Sequence, residues 1–581
     1  METLISKMSQ YKSVVMFAVV GIVAVWLGFF GFEADLLIDI YRKSAVYFLT
    51  AAIIIWLLAF CKEFDDFKRF KTFFKTHHLP LLAAFAVMSL GFIVCKPDYR
   101  ILADETNLIS DSQSLYDFKE PIMSISMLYF GNETKDYIKT SIDKRRAFFP
   151  YMLYVCHALT GYRAENAFIM NYIFSSLALF MLYYLIQYRF GYYWGICGML
   201  LMAAFPLYLL CSASAGFEIF NLLCILIFFW LIYKFLKQPN SQWAEILLLW
   251  LPLLAQSRYE SASGVFIAFP MIWFFMPKAE YSKLSYKFVI MPLLFLPVAW
   301  IHILTDQASS WQVEGVEGAF SVNNFFNNLY NALEFFFVPK DAYGTIPFLA
   351  IIALLFFVRR FWAQKEPYSS VKHPLILAII VFYFFHSVAR FSYILVDLRD
   401  TLASRLGIIF LPLIAYGAVS FLSAFFEHFK LKKSFCSIAV VGLFFLCWPN
   451  AAANCGVRDM PLFWEFKLSR NFLSDYLPDK RDYVILSSRP NLYTPLGYSS
   501  VGFSEFEEAK DRILSFYAGR CFRYFVVIQQ INKITDKPIN KDKLDNFRLQ
   551  TIFEAQTREN STYRISKGYP VFAKKEAQQS E

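Results

Sequence analysis

VVMFAVVGIVAVWLGFFGF, residues 14–32, decides what kind of chain this is. It carries no charge and is as long as a helix must be to cross a hydrocarbon core of about 30 Å, which takes roughly 17–25 apolar residues. The run is too long for the apolar core of a cleavable secretory signal and offers no small-residue cleavage site. It therefore reads as a retained first membrane helix. Twelve further runs follow, at about 44–61, 79–95, 164–187, 192–211, 216–233, 243–257, 261–277, 288–304, 346–360, 374–395, 405–426 and 434–449. The shorter ones are accommodated by tilt and local thinning. The sequence thus predicts an all-α polytopic domain of about thirteen spans over residues 1–450.

The composition agrees. Of 581 residues, 57% are hydrophobic and 18% charged, against about half and a quarter in soluble proteins. The net charge of +10 does not indicate nucleic acid, because Lys and Arg gather in short connections between apolar runs. With the N-terminus inside, Lys62 to Lys75, Arg189, Lys234 and Lys237, Lys278 to Lys287, Arg359 to Lys372 and Lys430 to Lys433 all fall on the cytoplasmic side, as orientation by positive charge requires. That predicts a multi-pass inner-membrane protein with its N-terminus in the cytoplasm. The ten Cys residues form no CxxC pair and no Cys/His spacing, which removes zinc-finger and thioredoxin chemistry. Cys455 and Cys521, both in the tail, are either a disulfide pair or two lone thiols.

Three segments are then assigned to the outer face. The loop 96–163 is far longer than an ordinary connection. The loop 305–345 contains aromatics at near-helical spacing, as in an interfacial helix. From residue 451 the pattern changes to β-rich runs (DYVILSS at 482–488, CFRYFVVIQQI at 521–531) around the helical FSEFEEAKDRILSFYAG at 503–519. This predicts a small periplasmic α/β domain over 451–581.

Four clusters at this face could carry chemistry. RILADETNLIS (100–110) holds Asp104 and Glu105. Adjacent side chains point apart, so one acid can serve as general base while the other binds the acceptor or orients a helix; otherwise both simply favour a helix N-terminus. DKRRAFFPYMLYVCHALTG (143–161) places Lys144, Arg145 and Arg146 on the face where basic residues are disfavoured. A guanidinium fork suits a lipid phosphate, or the cluster attracts anionic headgroups generally. LLAQSRYESASG (253–264) interrupts an apolar hairpin with Arg258 and Glu260; charges at that depth face a cavity or each other. HSVARFSYILVDLRDTLASRLG (386–407) carries His386, Arg390, Asp397, Arg399, Asp400 and Arg405. His386 reads as a packed, hydrogen-bonded core residue, and Arg405 as opening the next helix, where backbone N–H groups favour an anion. Two Asn-x-Ser/Thr matches, at Asn132 and Asn560, are short patterns frequent by chance. No Gly-rich phosphate loop indicates direct use of a nucleotide. No ligand spacing fixes a divalent metal, although the carboxylates of the first outer loop leave one open.

In order and sidedness these motifs resemble the membrane glycosyltransferases of the C-type fold, in particular the protein O-mannosyltransferases and the lipid A aminoarabinose transferases. ADETNLISDSQSLYD (103–117) is similar to their Asp-Glu loop, and RRAFFPYMLYVCHALTG (145–161) to the basic residue and Pro-led helix that follow it. SRYES (257–261) is similar to an Arg-x-Glu element, SRLGIIFLPLIA (404–415) to a late helix, and YVILSSRPNLYTPLGY (483–498) to the opening of an outer α/β domain. The likeness covers the chain from about residue 80. Two apolar helices precede it, and a Lys-Pro-Pro stretch is missing.

The resemblance implies a polyprenyl-phosphate sugar donor, inverting transfer, and an extracytoplasmic acceptor that is a protein, lipid A or an envelope glycan. Under it Asp104 is the general base and Glu105 its orienting or acceptor-side partner. Arg146, Arg258, Arg405 and Arg145 bind the donor phosphate, and Glu260, Arg390, Asp397 and Arg399 bind substrate. The competing classes are a lipid-linked-sugar transporter, which would be expected to show inverted repeats, a polysaccharide polymerase or ligase, and a membrane scaffold.

Overall fold

The computed structural model describes residues 12–62, 67–100, 102–130, 135–307, 319–338, 372–400, 403–430, 461–532 and, with short gaps, 535–571, plus a few positions within 351–355 and 441–445. The expected spans at 346–360 and 434–449 and the residue Cys455 fall almost wholly outside this set. In chain order the first helices are α1 (Lys12–Phe29), α2 (Ala34–Cys61), α3 (Phe67–Val94) and α4 (Ala103–Phe118). A hairpin of β1 (Met123–Tyr129) and β2 (Lys135–Ser141) follows, then α5 (Phe148–Thr160), α6 (Asn166–Phe190), α7 (Tyr192–Ala203) and α8 (Pro206–Ser212). Next come α9 (Glu218–Lys237), α10 (Ser241–Ser257), α11 (Val265–Phe275), the short α12 (Tyr286–Ile290), α13 (Leu296–Gln307), α14 (Val322–Phe337), α15 (Lys372–Phe391), α16 (Leu411–His428) and α17 (Pro461–Tyr476).

Eight helical stretches among the described residues are long and apolar enough to span a bilayer, or nine if α7 and α8, bent by 74° at their junction, form one broken span. The bend falls at Phe205-Pro206, where the residue before proline is driven out of the helical region. The run expected at 243–257 becomes α10, which starts two residues earlier, and that expected at 261–277 becomes the shorter helix α11. From Trp243 to Ser257 every residue of α10 is buried, so this helix is surrounded by protein on all sides, as an all-round apolar helix should be. By contrast α1 exposes Ile22, Val25, Trp26 and Phe29 and forms part of the rim. The expected interfacial helix is α14. Ser321 caps it by accepting from the Asn324 N–H at 3.0 Å, Val322, Phe326 and Tyr330 are exposed in a stripe, and Asn328 on the opposite side donates to Phe391 O and Tyr393 O, both at 2.9 Å.

The tail folds as expected and recruits more of the chain. To β3 (Tyr483–Ser487), β4 (Ser500–Val501), α18 (Phe503–Glu508), α19 (Lys510–Ala518), β5 (Tyr524–Asn532), β6 (Lys537–Pro538), β7 (Phe547–Gln556) and β8 (Ser561–Pro570) it adds the hairpin of the first long loop. The resulting eight-stranded sheet runs β2-β1-β4-β3-β5-β8-β7, with β6 beside β5. β3 lies parallel to β4 and β5, and the remaining pairs are antiparallel. Period-two alternation sends Val484, Leu486, Phe525 and Val527 to a core with Phe506 and Ile513, and Tyr483, Ile485, Val526 and Ile528 to the other face, continuous with the membrane core. β1 joins β4 through Met127 and Ser500, reinforced by Tyr129 N–H to Ser499 Oγ at 2.8 Å and Gly502 N–H to Ser126 Oγ at 3.1 Å. The long loop is thereby fixed to the sheet.

Candidate functional site

The site begins at the N-terminus of α4, directly after Leu102, whose φ of 49° is a conformation that side-chain-bearing residues rarely adopt. Glu105 holds this start. Its Oε2 accepts the N–H groups of Arg100 at 2.7 Å and Leu102 at 2.9 Å, and its Oε1 accepts that of Ala215 at 2.8 Å. A fully buried carboxylate thus satisfies three backbone donors from two segments and ties α4 to the turn between α8 and α9. Asp104, one residue earlier, points the other way and meets two guanidinium groups, those of Arg145 and Arg405. Burial pushes its carboxyl pKa up, but the charges and hydrogen bonds of Arg145 and Arg405 outweigh that and hold it well below the usual carboxylate range.

From this pair the charges continue inward as one network. Arg145 Nη1 also donates to both oxygens of Asp143, at 2.7 and 2.8 Å. Arg405 Nη1 lies 2.9 Å from Glu218 Oε1, and Arg258 Nη1 lies 3.6 Å from the same atom. Arg258 Nε donates to Glu260 Oε2 at 3.1 Å, and Arg390 Nη2 donates to Glu260 Oε1 at 3.2 Å. Arg390 also donates to the Leu406 carbonyl. The side chains of Glu218, Glu260 and Arg390 are at most 1% exposed, whereas those of Asp104, Arg145 and Arg405 are 13–21% exposed. The network therefore has a sealed back and an open front.

Its charges do not close completely. Arg145, Arg258, Arg390 and Arg405 are matched by Asp104, Asp143, Glu218 and Glu260. Arg146 has no such match. Its Nη1 donates to the Val298 carbonyl at 2.9 Å, and no carboxylate among the described residues pairs with it. Burial pushes its pKa down to about 10. The nearby Asp111 does not compensate, because burial and the charge of Asp143 drive it toward the protonated form. Moreover Arg405 Nε and Arg146 Nε are buried donors with no hydrogen-bond partner among the described residues. Excess positive charge and unused guanidinium donors, under a partly open front, make a site for an anion.

Beside this site begins an apolar groove of about 900 Å³ between α6, α9, α14, α15 and α16. Phe391 and Phe410 line its near end, one residue beyond Arg390 and five beyond Arg405. On α15 its lining runs from Leu375 to Phe391, roughly 24 Å at 1.5 Å per residue. That is most of the thickness of a bilayer core of about 30 Å.

Most of the sequence candidates converge here: Asp104, Arg145, Arg258, Glu260, Arg390 and Arg405 in one network, with Glu105 behind it and Arg146 at its edge. Asp397 and Arg399 stand apart. Arg399 is an exposed clamp, donating to Asp397 at 2.8 Å and to Glu334 of α14 at 3.0 Å. Arg405 stands where expected, in the first turn of the span Ala403–His428, which opens as a tight 3-10 stretch, Ala403–Phe410, before the α-helix starts at Leu411 with Pro412 in its first turn. His386 is packed but not hydrogen-bonded, both ring nitrogens lacking a partner among the described residues. Glu218, Asp143 and Asp111 were missed. The signal for Glu218 was an acid at the mouth of the apolar run FEIFNLLCILIFFWL, an expensive place for a charge without a partner. Among the described residues no three or more His, Cys, Asp or Glu side chains are grouped to hold a metal ion.

No family model matches the chain, and no curated protein matches it. Among solved structures it is similar to ArnT from Cupriavidus metallidurans bound to undecaprenyl phosphate, at 10% identity over 85% of this chain and 98% of that one, with a TM-score of 0.48. It is also similar to the Archaeoglobus fulgidus oligosaccharyltransferase tethered with an acceptor peptide containing the NVT sequon, at 12% identity over 79% and 70% of the two chains, with a TM-score of 0.44.

Proposed function

We propose that this chain is a membrane glycosyltransferase that moves a sugar from a polyprenyl-phosphate carrier to an acceptor hydroxyl or amine on the sheet-bearing side of the membrane, the periplasmic side by the charge bias. What supports this is continuity: a long apolar groove ends beside buried, unused guanidinium donors and an ionised carboxylate. A lipid chain fits the first, its phosphate the second, and an attacking nucleophile the third.

In this reading Asp104 has two partners in turn. At rest it keeps Arg145 and Arg405 charged and in place. When the donor seats, its phosphate takes over those guanidinium groups, with Arg146 and Arg258 behind them, and the released carboxylate accepts the acceptor's proton. The acceptor attacks the anomeric carbon from the side opposite the leaving group, the glycosyl–phosphate bond breaks with inversion, and the lipid phosphate departs with the electron pair. The arginines stabilise the charge that grows on it. Glu260 and Arg390 keep Arg258 aimed, and Glu105 is a positioning residue. The Asp397–Arg399 pair has no part in the transfer; Arg399 ties its connection to Glu334 of α14.

The test is incubation of the purified protein with radiolabelled polyprenyl-phosphate sugars and an envelope fraction. Label should move into protein, lipid A or glycan with the wild type and stay on the carrier with Asp104→Asn. Turnover near the wild-type rate in that variant overturns the base assignment. Label crossing vesicle membranes while still attached to its carrier would favour transport.

A further inference from the structure

Among the described residues the groove also reaches the face opposite the sheet, where Tyr188, Arg189, Tyr233 and Glu427 line it, and this second mouth is also built for an anion. Arg189 closes the last turn of α6 and lines the groove there. Its Nη1 donates to the Tyr416 hydroxyl of α16 at 2.9 Å, and its guanidinium group lies 5.3 Å from the Phe190 ring centroid. No carboxylate among the described residues pairs with it. Glu427, the acid that lines this end, is exposed. Tyr188, next to Arg189 on α6, and Tyr233 of α9 line the same end, with ring centroids 4.3 Å apart. Tyr233 is 4% exposed, and its hydroxyl lies against that of Tyr188. Lys237 lies 5.4 Å from the Tyr188 ring at the rim.

We infer that this mouth binds the phosphate of an anionic phospholipid from the leaflet opposite the sheet, with one acyl chain lying in the groove. Arg189 supplies the charge, and the Tyr188–Tyr233 hydroxyl pair, in which one mutual hydrogen bond leaves an O–H over, supplies a donor. Tyr416 fixes the guanidinium plane, and the basic rim draws anionic lipid to this leaflet. The apolar channel behind the mouth selects for a phosphate that carries a chain. Because donor and phospholipid enter one groove from opposite ends, the phospholipid competes with the tail of the carrier. The inference rests on reading the groove as a lipid site and gives it a second occupant.

Native mass spectrometry of the full-length protein, released from detergent with added lipid, tests it. Phosphatidylglycerol is expected to be retained about tenfold better than phosphatidylcholine with the same chains, as one charge-assisted contact allows. Arg189→Gln should erase that preference, and Tyr233→Phe and Tyr416→Phe should each reduce it. Equal retention of the two lipids by the wild type overturns the inference, as does a preference that survives Arg189→Gln. Displacement of phosphatidylglycerol by inorganic phosphate alone would make this a free-anion site and overturns it too. If Arg189→Gln does not fold, the two tyrosine variants decide alone: an undiminished preference in both overturns it. Arg405→Gln, at the other mouth, should keep the preference, so failure of the transferase reading leaves this result standing.

Discussion

The two mouths of the groove solve one problem at different expense. At the sheet-bearing end four guanidinium groups are locked to four carboxylates, most of them sealed from solvent. At the far end a single guanidinium leans on one hydroxyl among aromatic rings. Burying a paired charge costs several kcal/mol per ion before the pairing returns any of it, so the first arrangement is poor value as an anchor. It makes sense where charge must be rearranged during a reaction, since each arginine is already oriented and each acid can hand it over. The far mouth has only to hold.

Several measurements would break or sharpen that contrast. The largest effect belongs to Asp104→Asn, expected to lower kcat by about 10²- to 10⁴-fold, the range of a general base, in the transfer assay. Arg405→Gln should follow, with a loss on the order of 10²- to 10³-fold if it stabilises charge on the leaving phosphate. If variants at the far mouth slowed transfer as much as these, the division of labour would be lost. Glu260→Gln leaves Arg258 and Arg390 buried without their shared acid. It should cost about 3–5 kcal/mol of stability, read as loss of the folded fraction on heating in detergent.

A subtler mark of partner exchange lies in pH dependence. In the free protein Asp104 is held well below the ordinary carboxylate range, net of burial, by Arg145 and Arg405. Its basic form therefore persists to low pH and is lost only as pH falls through that depressed value. Once donor phosphate draws the arginines away, the pKa should rise. The acid limb of kcat should consequently lie at higher pH than that of kcat/KM, by about one pH unit or more. Coincident limbs would mean that Asp104 keeps its arginines throughout. The smallest effect is expected from Arg399→Gln, an exposed clamp on α14, with transfer and thermal stability both unchanged within error.

Asp104 and Arg405 were legible in the sequence because a charge next to an apolar run has few reasons to be there. Their convergence follows from α4 and the 3-10 stretch before α16 ending at one face. Glu105 was legible only as a neighbour: adjacency showed that the two acids point apart, but not that one of them spends its oxygens on three N–H groups of the main chain. Glu218 did carry a signal, an acid at the mouth of an apolar run, but a helix start gives an acid a sufficient reason of its own through the helix dipole. The hairpin β1–β2 was also hidden. MSISMLY at 123–129 alternates, but what makes it a strand of this sheet is Ser500, and no local pattern reports a partner that far away. The far mouth was legible only as a cytoplasmic arginine, since Tyr188, Tyr233 and Tyr416 come from three helices.

That distant pairing has a consequence for how the protein is made. The loop bearing Asp104 and Arg145 emerges early in synthesis, yet its hairpin is completed by Thr494, Ser499 and Ser500, with Ser499 lying 370 residues beyond its partner Tyr129. Contacts so remote in sequence form late. The pocket around Asp104 in a nascent chain stays unfinished until residues 494–502 have been delivered to the same side of the membrane, and a chain that stops short of them is inserted with its long loop unanchored.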